Sequence, residues 1–311
     1  MINKLIKYGE IFEDVPLSRY NTYRIGGRAK YISYPDSIIN FTGLIRYLRK
    51  NNIQHKIFGN GSNMIVSSKD YNGVIIKQPK LDLIELNEET CEVTAESGVK
   101  LPILALHVLA YGFVGLEWSA GIPGTVGGSI IGNAGAYNVE IFDCLKSITI
   151  LNEKNKVETL LASEVVHSYR HSEFKDRDIV VLKATFKVTK GNVDEALELI
   201  EERKKIRKQS QPLEYPSAGS VFRNPSDEEL AEAYKKYDLK GPFAGHLIES
   251  CGLKGAKVNG AEISEKHANF IINKNNATSD DIIKLIEMVS TSVEEKYNCK
   301  LKIEQEFFNW E

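Results

Sequence analysis

Gly-Leu-Glu-Trp-Ser-Ala-Gly-Ile-Pro-Gly-Thr-Val-Gly-Gly-Ser-Ile-Ile-Gly-Asn-Ala-Gly-Ala-Tyr-Asn, residues 115–138, is the stretch on which the reading of this chain turns. Glycine recurs at 121, 124, 127, 128, 132 and 135, and no charge follows Glu117. Glycine lets another backbone or a ligand approach closely. Successive free N–H groups in such a loop make a concave anion site. Two readings follow: a pocket for a large phosphate-bearing cofactor, or a buried glycine-rich crossing between two elements. The spacing is not Gly-x-Gly-x-x-Gly, the dinucleotide pattern that follows a strand and opens a helix.

Working outward, Gly59-Asn60-Gly61-Ser62-Asn63 is a second glycine turn. It follows a helix expected over 36–51, capped by Asp36, and a short strand Lys56–Phe58. That order suits a β-α-β layer with a ligand at the strand end, and a plain turn is the bland alternative. Gly26-Gly27 predicts a tight turn or a close backbone approach. Strands are expected at 74–76, 91–97, 145–151 and 179–188, and a helix at 101–111. In the strand 179–188, Val180, Leu182, Ala184, Phe186 and Val188 should share one face.

Tyr169-Arg170-His171-Ser172 reads as a surface turn with His171 solvated, although Arg170 has the fork that grips a carboxylate. A charged helix runs from about 193 to 208, followed by the linker Gln211–Pro216. Ser220 has no histidine or acid near it in sequence; it caps a turn or gives a proton. Thr278 with Asp281 predicts a capping box, with the stripe Ile282, Ile286, Val289 and Val293 behind it and Asn298 as the stop. A strand from Leu301 to Trp310 closes the chain.

The 311 residues suffice for two or three lobes. A net charge of −2 gives no electrostatic case for nucleic acid or anionic membrane as a partner. The N-terminal residues carry no signal-peptide pattern, and no apolar run approaches a membrane span. Four scattered cysteines argue against a disulfide framework or a zinc site, so no metal is expected and a reducing cytoplasmic setting is. His246 and His267 lack metal-ligand spacing.

Seven segments in order, Asn21–Gly27, Gly59–Asn63, Ala120–Gly128, Asn133–Tyr137, Tyr169–Ser172, Pro216–Pro225 and Lys266–Phe270, resemble the UDP-N-acetylenolpyruvoylglucosamine reductase family, in its shorter form without an inserted tyrosine loop. The resemblance covers nearly the whole chain. It implies an α+β fold: a two-lobed FAD-binding module of the vanillyl-alcohol-oxidase type plus an α/β substrate-binding lobe. The expected division is 1–79 with 301–311, then 80–190, then 191–300 for substrate. FAD would lie against Gly59, Asn60, Gly61, Ser62 and Asn63, against Gly121, Gly124, Thr125, Gly127 and Gly128, and near Asn133 and Gly135.

The implied reaction has two halves. NADPH reduces the flavin, and hydride then passes to UDP-N-acetylglucosamine enolpyruvate. Arg170 and Glu304 match the pair that steadies the enolate-like carboxylate, and Ser220 matches the proton donor. Tyr169, Arg207, Asn224 and Lys257 are candidates for the UDP-sugar. The chain departs from the family pattern at Ser210-Gln211-Pro212, where Lys-Gln-Pro is usual, at Asn259-Gly260-Ala261, and at Glu304-Gln305-Glu306, where Glu-Val-Arg is usual. A two-residue slip on the last strand would choose Glu306 as the catalytic carboxyl. The alternatives are a flavin oxidoreductase of the same fold on another substrate, and a non-catalytic nucleotide-sugar or flavin-binding protein.

Overall fold

The computed structural model describes residues 2–237, 239 and 241–310. It divides into two units: Met1–Val15, Ala29–Asn60 and Asn72–Lys205 in the first, and Pro16–Arg28, Gly61–Tyr71 and Ile206–Glu311 in the second.

The first unit holds two sheets. One has four strands in the order Gly9–Pro16, Arg28–Pro35, Tyr71–Lys77, His55–Phe58. The helix Ile38–Lys50 covers it with Phe41, Leu44, Ile45 and Leu48, all buried. Its cap is Ser37, whose hydroxyl accepts from the Asn40 N–H at 3.2 Å, and not Asp36. Asp36 instead accepts from the Asn40 side chain at 2.6 Å. Two adjacent side chains could serve as the cap, and the extended backbone of Ser37 is the one that aims at the helix N–H groups.

The second sheet has five antiparallel strands in the order Val157–Leu161, Leu145–Leu151, Val180–Lys187, Glu92–Glu96, Ile84–Asn87. Its central strand does not keep one face. Thr149 pairs with Lys183, but Ile150 pairs with Val181, so Leu182 is an extra residue. A bulge of one residue exchanges the two faces of the strand beyond it. Ala184, Phe186 and Val181 therefore enter the core under the helix Leu101–Ala110, while Val180, Leu182 and Leu151 enter the core of the four-stranded sheet.

The second unit is built on the helix Ser279–Tyr297. Thr278 and Asp281 cap each other reciprocally, and Asn298 ends the helix at φ 52°. Ile282, Ile286, Val289 and Val293 are all buried, as their spacing predicts. A three-stranded sheet, Lys257–Val258, Ala261–Ile263 and Ile271–Asn273, packs on this helix. The turn joining its first two strands explains one departure: Asn259 sits at φ 47° and donates to Asp281 at 2.7 Å. Ser210 ends its helix by donating to the Ile206 carbonyl at 2.8 Å.

The chain end forms a shorter strand than its alternation suggests. Only Glu306–Phe308 is regular, paired parallel with Met64–Val66. Before it, Ile303 bridges Phe222 in antiparallel fashion. Gly26 and Gly27 permit a close backbone approach. A Cβ on Gly26 would stand 2.6 Å from Val66 Cγ1, and one on Gly27 would stand 2.4 Å from the Lys69 carbonyl oxygen.

Candidate active site

In the first unit Gly59-Asn60, the start of one glycine turn, meets the other glycine-rich stretch, although about sixty residues separate them. Asn60 donates to the Pro123 carbonyl at 2.9 Å, and a Cβ on Gly59 would come within 2.7 Å of Thr125 Oγ1. The glycine-rich stretch also opens a short helix, Val126–Ile131, with Thr125 as its cap. Paired glycines at 127 and 128 hide that helix from a propensity reading.

Some of the expected anion-binding N–H groups are committed elsewhere. Val126 donates to Val99 at 2.8 Å, Gly127 to Ser97 at 2.9 Å, and Gly128 to the Thr125 hydroxyl at 3.4 Å. Gly127 is required for packing, since a Cβ there would press on Ser97 Cβ at 3.0 Å. Positive charge comes from a residue the sequence did not flag. Lys77 ends a buried strand and donates to the Gly59 carbonyl. Burial, and then repulsion from Lys100, pull its ammonium down to about 8. The backbone of Lys100 pairs with that of Thr125 in an isolated antiparallel bridge.

Asn133 is fully buried at φ 43°. Its amide nitrogen donates to Glu140 at 2.6 Å and to the Ser168 carbonyl at 2.8 Å. Its oxygen is buried with no hydrogen-bond partner among the described residues. Glycines at 59 and 124 on either side of the Thr125 hydroxyl, two lysines nearby and a buried acceptor suit a cofactor carrying a diphosphate and N–H donors.

Arg170 is the left-handed residue, φ 58°, at the tip of a hairpin between His167–Ser168 and His171–Ser172. Its guanidinium donates to the Gly135 carbonyl at 2.8 Å and lies 4.8 Å from the Tyr169 ring centroid. Gly135 allows this approach, for its Cβ would stand 3.1 Å from Arg170 Nη1. Three sequence candidates thus come together. His171 is not simply solvated: it pairs with Asp176 at 2.8 Å.

The second unit gathers the others. Glu304 N–H donates to the Val221 carbonyl at 2.8 Å, and Arg223 N–H donates to Lys302 at 2.9 Å. This short antiparallel pairing brings the chain at Ser220 alongside the chain at Glu304 and Gln305. Asn63 holds the same segment. Its carbonyl accepts from Glu306 N–H at 2.9 Å, and its amide donates to the Glu304 carbonyl at 3.2 Å. Asn269 grips the other side of the turn. Its carbonyl accepts from Val221, its side-chain oxygen accepts from Phe222 N–H at 2.9 Å, and its amide donates to Phe222 O at 2.8 Å.

The UDP-sugar candidates have bonds within the unit. Asn224 Oδ1 accepts from Ala244 N–H at 3.1 Å and caps the helix Ala244–Ser250. Arg207 donates to Gln211 at 3.1 Å. Lys257 stands 3.5 Å from Glu262, a buried carboxylate shared with Lys274. Neither Gln305 nor Asn269 follows from a chemical motif; their amides matter only once the turn is folded.

Comparison with known proteins agrees with these features. Residues 29–160 match the FAD binding domain family, and residues 211–308 match the family described as UDP-N-acetylenolpyruvoylglucosamine reductase, C-terminal domain. The chain is 38% identical over 300 residues to the UDP-N-acetylenolpyruvoylglucosamine reductase of Caldanaerobacter subterraneus subsp. tengcongensis, covering 96% of this chain and 94% of the relative. It is 40% identical over 296 residues to that of Carboxydothermus hydrogenoformans, covering 95% and 93%. The crystal structure of the Thermus caldophilus reductase superposes with a TM-score of 0.77 at 27% identity, over 96% of this chain and 99% of that one. Identity at this level over nearly the full length, together with both matched domains, shows that the chain belongs to the UDP-N-acetylenolpyruvoylglucosamine reductase family.

Proposed function

We propose that this chain reduces UDP-N-acetylglucosamine enolpyruvate to UDP-N-acetylmuramate with NADPH, in peptidoglycan precursor synthesis, and that Arg170, Ser220 and Glu304 carry the chemistry. FAD, when bound, takes hydride from NADPH and supplies it to the enolpyruvyl methylene carbon. The residues that would hold it are Gly59, Asn60, Gly124 and Thr125, with Lys77 as counter-charge to the diphosphate and the Asn133 oxygen as an acceptor. Asn63 is better read as the anchor of the Glu304 segment.

Negative charge grows on the substrate carboxylate as the carbon–carbon double bond is reduced. The Arg170 fork would offset it by charge, and Glu304, in its protonated form, by donating a hydrogen bond. Donors organised in advance around developing charge are commonly the largest catalytic contribution. Ser220 Oγ then gives its proton to the carbon alpha to the carboxylate. Tyr169, Arg207, Asn224 and Lys257 would orient the UDP-sugar. NADPH and nucleotide sugars are cytoplasmic metabolites, so we infer that the reaction is cytoplasmic.

The observation that carries the assignment of roles is the pairing of Val221–Arg223 with Lys302–Glu304, which sets the serine turn and the carboxyl strand side by side. Glu304 takes part in that pairing through its own N–H to the Val221 carbonyl, and Glu306 remains the alternative carboxyl. The test is Ser220→Ala in stopped flow, with the two half-reactions measured separately. Loss of a general acid costs about 10²–10⁴-fold. The expected result is a loss of that size in reoxidation by the enolpyruvyl sugar, with reduction by NADPH preserved. Equal loss in both halves, or in neither, would remove the serine from the mechanism.

A further inference from the structure

Gln305 is one of two residues of the last segment, with Glu306, that the family pattern does not anticipate, and it is 3% exposed. Its amide nitrogen faces three consecutive carbonyls: Ala218 at 3.1 Å, Gly219 at 3.2 Å and Ser220 at 3.3 Å. Three carbonyl dipoles converging on one point repel one another unless a donor sits among them. The amide supplies two N–H groups there, shared among three acceptors. Its oxygen accepts from the hydroxyl of Tyr23 at 3.1 Å. Tyr23 is fully buried, and burial pushes its phenol well above the ordinary range, so the hydroxyl keeps its proton to donate. That bond fixes which way the amide faces. Reversed, it would set an oxygen against three oxygens.

Gly219 lies at φ 76°, so the turn before Ser220 takes a left-handed step that has little rigidity of its own. Asn269 holds the far side, at Val221 and Phe222. Ser220 thus stands between two buried amides, one on each side of the turn.

We propose that Gln305, oriented by the Tyr23 hydroxyl, is a positioning residue that fixes the Ala218–Ser220 turn and so sets the aim of the Ser220 hydroxyl. This rests on the reading of Ser220 as proton donor. It also gives the glutamine a physical role: where other members carry an apolar residue, this chain closes the turn with a tyrosine–glutamine pair.

The experiment compares wild-type holoenzyme with Gln305→Met, Gln305→Glu, Tyr23→Phe, Ser220→Ala and the double variant Ser220→Ala/Gln305→Met. Gln305→Met should slow reoxidation by the enolpyruvyl sugar roughly 10–100-fold, the cost of a misaimed group. The NADPH half-reaction serves as the internal control. Hydrogen exchange at the Val221 and Phe222 amides should quicken. Gln305→Glu should show the same loss at about pH 8 and recover as pH falls, because the protonated acid regains one donor for the carbonyls and still accepts from Tyr23. Glu304 and Glu306 flank position 305, so the ratio of variant to wild type at each pH isolates the new carboxyl. Tyr23→Phe removes a single oxygen, and should give a smaller loss in the same half-reaction if Gln305→Met folds poorly.

If Gln305 acts through Ser220, the double variant should be no slower than Ser220→Ala alone. Losses that multiply would overturn the proposal, as would a pH-independent Gln305→Glu defect. So would a wild-type reoxidation rate in Gln305→Met while Ser220→Ala is impaired. If Ser220→Ala itself reoxidises normally, the underlying reading of the serine fails and the proposal falls with it.

Discussion

Lys77→Met should change how stability depends on pH, and the size follows from burial. The Lys77 ammonium is pulled from 10.5 to about 8, chiefly by desolvation and then by Lys100. Between those values the unfolded chain holds a proton that the folded chain has released, so stability rises with pH. Below pH 8 both states are protonated and the cost of burying the charge is constant. At about 1.36 kcal/mol per pH unit, the whole rise is worth about 3 kcal/mol. Met keeps the apolar stem and removes the charge, at the loss of one bond to the Gly59 carbonyl worth about 1 kcal/mol. Urea unfolding at steps from about pH 7 to pH 11 gives the comparison, since other titrating groups cancel between the proteins. The stability advantage of Lys77→Met over wild type at neutral pH should shrink by about 3 kcal/mol across the range. Bound FAD should flatten the wild-type rise, because a diphosphate at the cradle would hold the proton on Lys77. Parallel profiles for the two proteins would refute the reasoning.

Three further outcomes are expected. Thr278→Ala removes one half of the reciprocal cap on the helix Ser279–Tyr297 and should cost about 1 kcal/mol in denaturant unfolding. Gly98→Ala should cost about 3 kcal/mol or more and lower soluble yield, because its Cβ would lie 1.8 Å from the Gln78 carbonyl oxygen, a backbone atom that cannot step aside. His267 is held neutral by burial and then by Lys254 and His246, and its Nδ1 accepts from Asn269 N–H at 3.2 Å. The folded value is the lower one, so stability should fall as pH drops below about 6.5, where the unfolded histidine gains a proton. Thermal unfolding at pH steps should show that acid slope in wild type and a shallower one in His267→Gln.

The parts legible in the sequence are those whose signal is local. The helix Ser279–Tyr297 announced itself through Thr278, Asp281, Asn298 and one apolar stripe, because caps and periodicity act within a few residues. The approach of Gly59 to Thr125 was legible in outline, since two bare turns suit one ligand. Longer-range matters were not. The bulge at Leu182 depends on the partner strand, so alternation alone gave Val180 and Phe186 the same face when they enter different cores. The choice of Ser37 over Asp36 as cap depends on backbone angles that two adjacent polar residues do not reveal. Lys77 lies just beyond the strand expected at 74–76 and carries no motif, and its weight comes from what surrounds it. Gln305 looked like a departure from pattern. Only folding gives it three carbonyls from positions 218–220 and a hydroxyl from position 23.

The most direct test of the reductase assignment is anaerobic double mixing of the wild-type holoenzyme. NADPH is added first and UDP-N-acetylglucosamine enolpyruvate second, while the flavin visible band is followed and the products are analysed. The expected result is bleaching by NADPH, return of the band only when the enolpyruvyl sugar arrives, and one UDP-N-acetylmuramate per flavin. Bleaching with no return would mean a different substrate, and a chain that binds flavin without being bleached would mean no reductase at all.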